Sequence, residues 1–301
     1  NNADIISANI VGGIVGNMYA SISNCINNGD IYADDIAGGI AAYTSATSDM
    51  VIDNCYNTGD IKDTGYIDST LIRVGGILGF DNKGGTTIES CYNVGAVLRN
   101  DDNYMNISGI AGGYNANASA TIISNSYYLS DSDAENAKTK AEMKDAASVL
   151  GDAYVTSTSA NYTFPQLTNL PNEVAINIIK IPSVSVENAT VNLSKEYAKV
   201  GSEVVLTVNA NEGYELSDVT VYGNAIEAVN GKYTFTAAET GNVIAVAVKA
   251  SVKAPSITID VYEGNTLSAM DLSIYGVANP LSYIGKNVIL VTVLVEGDDV
   301  T

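Results

Sequence analysis

The chain has 301 residues, 46% of them hydrophobic, so it has the length for two or three domains and enough apolar content to fold. Lys and Arg number 14 against 34 Asp and Glu, and the resulting net charge of −20 disfavours nucleic acid and anionic lipid as partners. There is no His, which removes the commonest general base and zinc ligand. No apolar run of about 20 residues is present, so we expect no membrane insertion. The start, Asn1-Asn2-Ala3, predicts the interior of a longer protein.

Two short motifs recur through the N-terminal half at intervals of 30 to 36 residues. One motif reads Cys-(Ile/Tyr)-Asn-x-Gly and centres on Cys25, Cys55 and Cys91, with a decayed copy in which Ser126 replaces Cys. The other motif is a Gly-Gly-Ile element, and it contributes Gly12, Gly13, Gly16, Gly38, Gly39, Gly75, Gly76 and Gly79. Regular internal repeats of this length are typical of stacked architectures.

The repeats predict a β-solenoid of about four copies. An apolar residue precedes each Cys by three, and a bend at the intervening Asn, Asp or Ser pair would turn both side chains inward. The glycines suit corners that need a positive φ or a close backbone approach. One repeat cannot bury its apolar side alone, whereas repeats stacked about 4.8 Å apart form a continuous core with paired backbones.

The three cysteines occupy one equivalent position, so we interpret them as a buried ladder of small side chains and not as disulfides. The tyrosines that follow this position should face outward, and Tyr56, Tyr92 and Tyr127 are therefore candidates for a ligand surface. Aromatic faces of this kind stack on sugars or anchor a protein partner. The alternative, which we favour, is that these tyrosines shield the sheet and pack on each other.

The Gly-Gly-Ile-Leu-Gly element followed by Cys-Tyr-Asn-x-Gly resembles the GLUG-motif repeat over about residues 5 to 170. That family occurs in large bacterial surface proteins and adhesins, and beside the catalytic domain of IgA-cleaving metallopeptidases. The resemblance implies a surface-exposed repeat region and does not imply catalysis. The zinc motif of those peptidases, His-Glu-x-x-His, cannot exist in a chain without His.

A short amphipathic helix is predicted after the last repeat. Thr139 and Glu142 fit a capping box, and Gly151 can close the helix in a left-handed conformation. The apolar positions between them recur at helical spacing, and an apolar cluster follows, comprising Tyr154, Tyr162, Phe164, Pro165 and Leu167. We expect this helix to cap the open end of the solenoid, completing a first domain of residues 1–170.

Alternating patterns after residue 178 predict a small β-rich module over residues 178–250. Strands are expected near 184–186, 204–208, 219–222, 232–236 and 243–248. The glycine and Tyr-x-Phe pattern of this segment resembles a divergent internalin-type B-repeat. Residues 251–301 carry two more strand candidates, which form either a third, incomplete module or an extension of the second.

The acidic residues of the sequence are compatible with two kinds of chemistry. A polysaccharide-cleaving site would need paired carboxylates, for which Asp34, Asp35, Asp53, Asp60 and Asp63 are candidates, but a repeated Asp after Gly is more typical of turns. A calcium site could use the acidic segments 101–103 or 131–135, but neither has the spacing of a 12-residue calcium loop. We favour turns and solvated loops over both.

The sequence therefore predicts a mainly β, non-enzymatic fragment of an extracellular protein at a bacterial cell surface or cell wall. Its role would be structural or adhesive, it would be a monomer without cofactor, and a host glycan or extracellular protein would be its partner. The alternative is a carbohydrate-binding or polysaccharide-cleaving β-helix. The ligand, the anchor, the handedness of the solenoid and the presence of a catalytic domain elsewhere are left open by the sequence.

Overall fold

A computed structural model describes residues 1–7, 9–45, 50–64, 73–98, 107–159, 162–170, 174–181, 186, 188–239, 246–252, 256–263 and 289–296. The chain is mainly β. Its contacts divide into two compact units, the first comprising Asn1–Ser185, Val191–Val208 and Val219–Ala247 and the second Val186–Thr190, Asn209–Asp218 and Val248–Thr301. The predicted module 178–250 thus contributes residues to both units. Among the described residues, no helix has the length and apolarity needed to cross a membrane.

Successive strands of residues 1–138, called the repeat stack below, enter five parallel sheets in turn, named A to E. The first pass comprises β1 Ile5–Ser7, β2 Ile10–Gly12, β3 Val15–Met18, β4 Ile22–Ser23 and β5 Ile26–Asn27. The second comprises β6 Ile31–Ala33, β7 Ile36–Gly38, β8 Ala41–Thr44, β9 Val51–Asp53 and β10 Tyr56–Asn57. The third comprises β11 Ile61–Asp63, β12 Arg73–Gly75, β13 Leu78–Phe80, β14 Thr87–Glu89 and β15 Tyr92–Asn93. The last strands are β16 Val97–Leu98 in sheet A, β17 Ile107–Ser108 in B, β18 Ile122–Ser124 in D, and β19 Tyr127–Leu129 and β20 Ala137–Lys138 in E.

Equivalent repeat positions pair directly with each other across the sheets. In sheet A, Ile31 pairs with Ile5 on one side and with Ile61 on the other, and Ile61 pairs in turn with Val97. Ile31 and Ile61 are fully buried, and the partly buried Ile5 and Val97 pack against the same core cluster, which runs from repeat to repeat. The apolar periodicity therefore forms a shared core because every repeat places its Ile at the same point of the ladder.

The bend before each Cys position is present in all four copies. Asn24, Asn54, Ser90 and Asn125 have positive φ angles of 55°, 49°, 52° and 46°. Asn tolerates this left-handed conformation better than most residues because its short side chain bonds locally. The predicted bend is confirmed, and it turns the preceding Ile and the following Cys or Ser toward the same interior.

The predicted helix forms as two short helices, α1 Lys140–Lys144 and α2 Ala147–Leu150. Thr139 and Glu142 make the predicted capping box, and Gly151 ends α2 with φ at 112°. The chain then forms an antiparallel pair, β21 Tyr154–Val155 with β22 Gln166–Leu167. The buried side chains of this region share one core cluster with Tyr56 and Tyr92 of sheet E. The helices thus cover a side of the repeat stack, a placement that the expectation of an end cap did not include.

The remaining strands are mostly antiparallel. They are β23 Ile178–Lys180, β24 Ala189–Leu193, β25 Tyr197–Lys199, β26 Glu203–Ala210, β27 Tyr214–Val221, β28 Asn224–Ala225, β29 Lys232–Thr236, β30 Val246–Val252, β31 Ser256–Glu263 and β32 Ile289–Glu296. Glu203–Ala210, Tyr214–Val221, Lys232–Thr236 and Val246–Val252 overlap predicted strands, whereas Ile178–Lys180, Ala189–Leu193, Tyr197–Lys199 and Asn224–Ala225 were not predicted. The sheets have the orders β23-β25, β24-β26-β29, β28-β27-β30 and β31-β32. The strand expected near 184–186 falls mainly outside the described residues.

Candidate functional site

The cysteine ladder lies inside the repeat stack. Cys55 and Cys91 are fully buried, Cys25 is partly buried, and all three are free thiols. The N–H of Cys25 donates to Sγ of Cys55 at 3.4 Å, and the N–H of Cys91 donates to Oγ of Ser126 at 3.0 Å. Hydrogen bonding to Cys55, together with burial, raises the pKa of the Cys25 thiol far above its ordinary range. A protonated thiol is a poor nucleophile and metal ligand, so the arrangement serves packing.

The repeated glycines are required by close backbone approach. A Cβ added to Gly38 or Gly75 would lie 1.9 or 2.0 Å from the carbonyl oxygen three residues later, and similar overlaps occur at Gly12, Gly13, Gly39 and Gly76. A positive φ was the other expected reason for glycine at the corners. It occurs at the Asn and Ser residues before each Cys position and not at these glycines. At Gly79 the nearest atom would be 2.7 Å away, whereas Gly16 leaves 3.6 Å and is not restricted in this way.

An asparagine ladder, which the sequence interpretation missed, runs beside the cysteines. Asn27, Asn57 and Asn93 are buried, and the amide nitrogen of each donates to the carbonyl oxygen of the glycine two residues later. Each amide also bonds to the next one, with Nδ2 to Oδ1 distances of 2.7 Å from Asn27 to Asn57 and 2.8 Å from Asn57 to Asn93. The signal was available, because Asn follows Cys by two residues in three repeats.

The repeated aspartates, for which we expected a role in turns, bond to the backbone of the next repeat and also hold a neighbouring segment. Oδ1 of Asp30 accepts the N–H of Asp60 at 2.8 Å, and Oδ1 of Asp60 accepts the N–H of Ala96 at 3.0 Å. Asp60 Oδ2 also lies 2.6 Å from Nζ of Lys195, and the two side chains are only 9% and 6% exposed. Asp30 forms a second ion pair with Lys199. These pairs join the repeat stack to the segment around β25 within the first compact unit.

The structure corrects the candidate ligand surface. Tyr56 and Tyr92 are fully buried, with ring centroids 4.7 Å apart and ring planes 8° from parallel, and Tyr154 packs against both rings. Tyr127 is half-buried with Lys138 Nζ 4.2 Å above its ring. Burial raises the pKa of Tyr92 well above its ordinary value. The tyrosines face away from the cysteine core, as expected, but the segment after the helices covers them. The alternative of shielding and mutual packing is therefore the one observed.

Two other candidate carboxylates, and one that was not predicted, accept hydrogen bonds from the protein itself. Asp34 accepts a hydrogen bond from Thr64 and Asp53 from Asn54, while the unpredicted Asp81 is fully buried and accepts four, from Thr44, Gly84, Thr86 and Thr121. Among the described residues, no group of three or more His, Cys, Asp or Glu could hold a metal ion. Of the two acidic segments, 101–103 lies outside the described residues, and Asp131 of the other pairs with Lys180 and Tyr197.

A cleft of about 350 Å³, which no sequence signal predicted, lies beside the last strand of sheet A. Its lining includes Gly95–Leu98, Tyr128 and the segment from Ser194 to Tyr197. Glu196 in this lining accepts hydrogen bonds from Ser130 Oγ at 2.9 Å and from the Asp131 N–H at 3.0 Å. The volume is at the small end of the range for ligand pockets.

Comparisons of the chain with protein-family models, with curated proteins and with solved structures each found no match.

Proposed function

We propose that the chain is a non-catalytic structural piece of an extracellular bacterial surface protein of the GLUG-repeat type. Sheets A to E are then the faces of a β-solenoid, and the segment after it is a B-repeat-like spacer. The observation that carries this proposal is the register of the repeat stack. Equivalent residues lie directly on one another, Ile on Ile in sheet A and Tyr on Tyr in sheet E.

The repeated side chains support a structural role because each one contacts its counterpart in a neighbouring repeat. The Asn amides bond in a chain, the side chain at a Cys position accepts a backbone N–H of the preceding repeat, and the glycines allow neighbouring carbonyls to approach. Residues that recur for these reasons stabilise a stack of any length. A repeated array of this kind is suited to presenting or spacing other parts of a surface protein.

The net charge of −20 agrees with an exposed role, because an acidic surface keeps a β-rich protein soluble and discourages pairing between sheet edges. The carbohydrate alternative depended on an exposed aromatic ladder or on paired carboxylates. Burial of Tyr56 and Tyr92 removes the first of these supports, which favours the structural role.

Two measurements test the proposal. Antibodies against the chain should label intact cells of the source bacterium, and labelling that required permeabilised cells would contradict the surface location.

The purified chain should release no new reducing ends or unsaturated products from a polysaccharide panel, with or without added calcium. Turnover of any polysaccharide, lost in an Asp60→Asn or Asp63→Asn variant that retains its fold, would instead establish an enzyme.

A further inference from the structure

Sheet A stops at β16, and the cleft lies on its open side. Sheet E has a fifth strand, β20, beyond β19, but among the described residues no strand pairs with β16 on the side away from β11. The chain leaves the repeat pattern after Leu129, where Ser130 N–H donates to Lys138 O. The position that a fifth strand would fill is therefore open beside Gly95–Leu98.

The β16 edge has backbone groups oriented to pair with such a strand. The N–H groups of Ile5, Ile31 and Ile61 each donate to a carbonyl of the next repeat, at 2.9, 2.8 and 2.8 Å. Val97 is the equivalent residue of the last repeat, since it pairs with Ile61. Because hydrogen-bonding directions alternate along a parallel strand, the Val97 N–H and C=O face the cleft. No described residue accepts this N–H.

The repeat itself shows which residues fit against this edge. A Cβ added to Gly59 would lie 1.9 Å from Gly29 O, and one added to Gly95 would lie 1.8 Å from Gly59 O. A segment placed next on the stack therefore needs Gly opposite Gly95. Two residues later, Ile61 packs into the sheet A core next to Val97, so an apolar β-branched residue fits there.

We propose that the cleft binds an extended peptide segment of the form Gly-x-Ile or Gly-x-Val as an added parallel strand of sheet A. Adding a strand to an exposed edge is a general mode of peptide recognition, in which backbone bonds supply affinity and side-chain pockets supply specificity. The small cleft volume limits the segment to a few residues. Peptide binding here does not depend on where the protein is located.

The first experiment titrates the full chain with acetylated and amidated Gly-Asp-Ile-Lys, which is the sequence of residues 59–62. Backbone amide NMR signals should shift with increasing peptide, with the largest shifts at Val97 and Leu98. The matched control peptide carries the Gly59→Val change and should bind at least about tenfold more weakly, because its side chain meets Gly95 O. Equal binding of both peptides, or no shift at millimolar peptide, would overturn the proposal.

The second experiment changes the edge. Val97→Pro removes the N–H that faces the cleft and should weaken binding by about tenfold, the loss of one well-aligned backbone hydrogen bond. Ala96→Asp restores the carboxylate that Asp60 offers to the next repeat, and it should tighten binding by about fivefold. Thermal unfolding shows whether both variants are folded. If Val97→Pro does not fold, the comparison of the two peptides in the first experiment tests the proposal. Shifts at Val97 with neutral oligosaccharides, and none with peptide, would assign the cleft to sugars and refute the proposal.

Discussion

Gly39 has room for a hydrogen and nothing larger, because the carbonyl oxygen of Gly76 would lie 2.1 Å from any Cβ at this position. The same relation joins Gly13 to Gly39 and Gly76 to Gly109. The size of the side chain that fits at these positions is therefore limited by the backbone of the next repeat and not by the local turn.

A Gly39→Ala substitution should lower the free energy of unfolding by about 3 kcal/mol, the upper range for overpacking a site whose neighbours are backbone atoms. The matched control is Gly113→Ala, whose Cβ would find its nearest neighbour at 3.8 Å. Urea unfolding of both variants measures the difference, and similar stabilities would show that the stack relaxes around the added methyl group.

Cys91 should tolerate replacement by Ser. Sγ of Cys91 donates to the carbonyl oxygens of Glu89 and Ile52, and Oγ of Ser126 makes the equivalent bonds to Ser124 and Ile88 one repeat later. We therefore expect Cys91→Ser to change the free energy of unfolding by no more than about 1 kcal/mol, with no dependence on reducing agent. A loss like that of a large-to-small core substitution, about 3 kcal/mol, would contradict this packing interpretation.

Sequence predicted the structural roles of those residues that recur at a fixed position in every repeat. The Cys positions and the corner Asn residues recur at fixed offsets, so their burial and their bends followed from spacing alone. The Asn ladder recurs equally well, but Asn is common in turns, and only the coordinates separate a turn residue from a buried amide chain.

For the elements after the repeats, the sequence predicted the local structure but not the surface against which it packs. The capping box and the apolar spacing predicted the helix, and the aromatic residues near 154–167 predicted a cluster. Neither pattern states which surface the cluster covers, because helical periodicity fixes a buried face but not its partner. The outward direction of Tyr56 and Tyr92 was therefore consistent with both exposure and burial until the covering segment was placed.

This covering segment should make the protein sensitive to alkaline pH. Burial raises the pKa of Tyr92 well above its ordinary value of 10.0, so the folded protein keeps the phenol protonated while the unfolded chain ionises near pH 10. The unfolded state then binds fewer protons, and the free energy of unfolding falls as the pH rises above about 10. Urea unfolding at pH 8 to 11 measures the slope, which should be smaller in Tyr92→Phe.

At the scale of the whole first compact unit, two ion pairs connect parts that are distant in sequence. Asp60 and Lys195 are 135 residues apart, and Asp30 and Lys199 are 169 residues apart. No periodicity relates a repeat position to a lysine outside the repeats. The Gly-Asp pattern predicted turns, whereas the bonds of these aspartates to the next repeat and to the lysines required the three-dimensional structure.

Lys195→Ala should reduce the free energy of unfolding by about 3 kcal/mol, because it leaves the Asp60 carboxylate buried without its countercharge. Lys180→Ala is the matched control, since Lys180 pairs with Asp131 but is 53% exposed, and its loss should be at most about 1 kcal/mol. Equal effects of the two substitutions in urea unfolding would mean that the Asp60 pair is solvated.

The asparagine ladder bears on how such a chain changes length over generations. Asn27, Asn57 and Asn93 are separated by 30 and 36 residues, yet the same amide-to-amide bond joins each neighbouring pair of copies. Recombination that removed or duplicated one whole copy would create a junction with the same chemistry as the junction it replaced. Copy number can therefore drift without new compensating mutations, and relatives of this chain should differ by whole repeats more readily than by single residues within them.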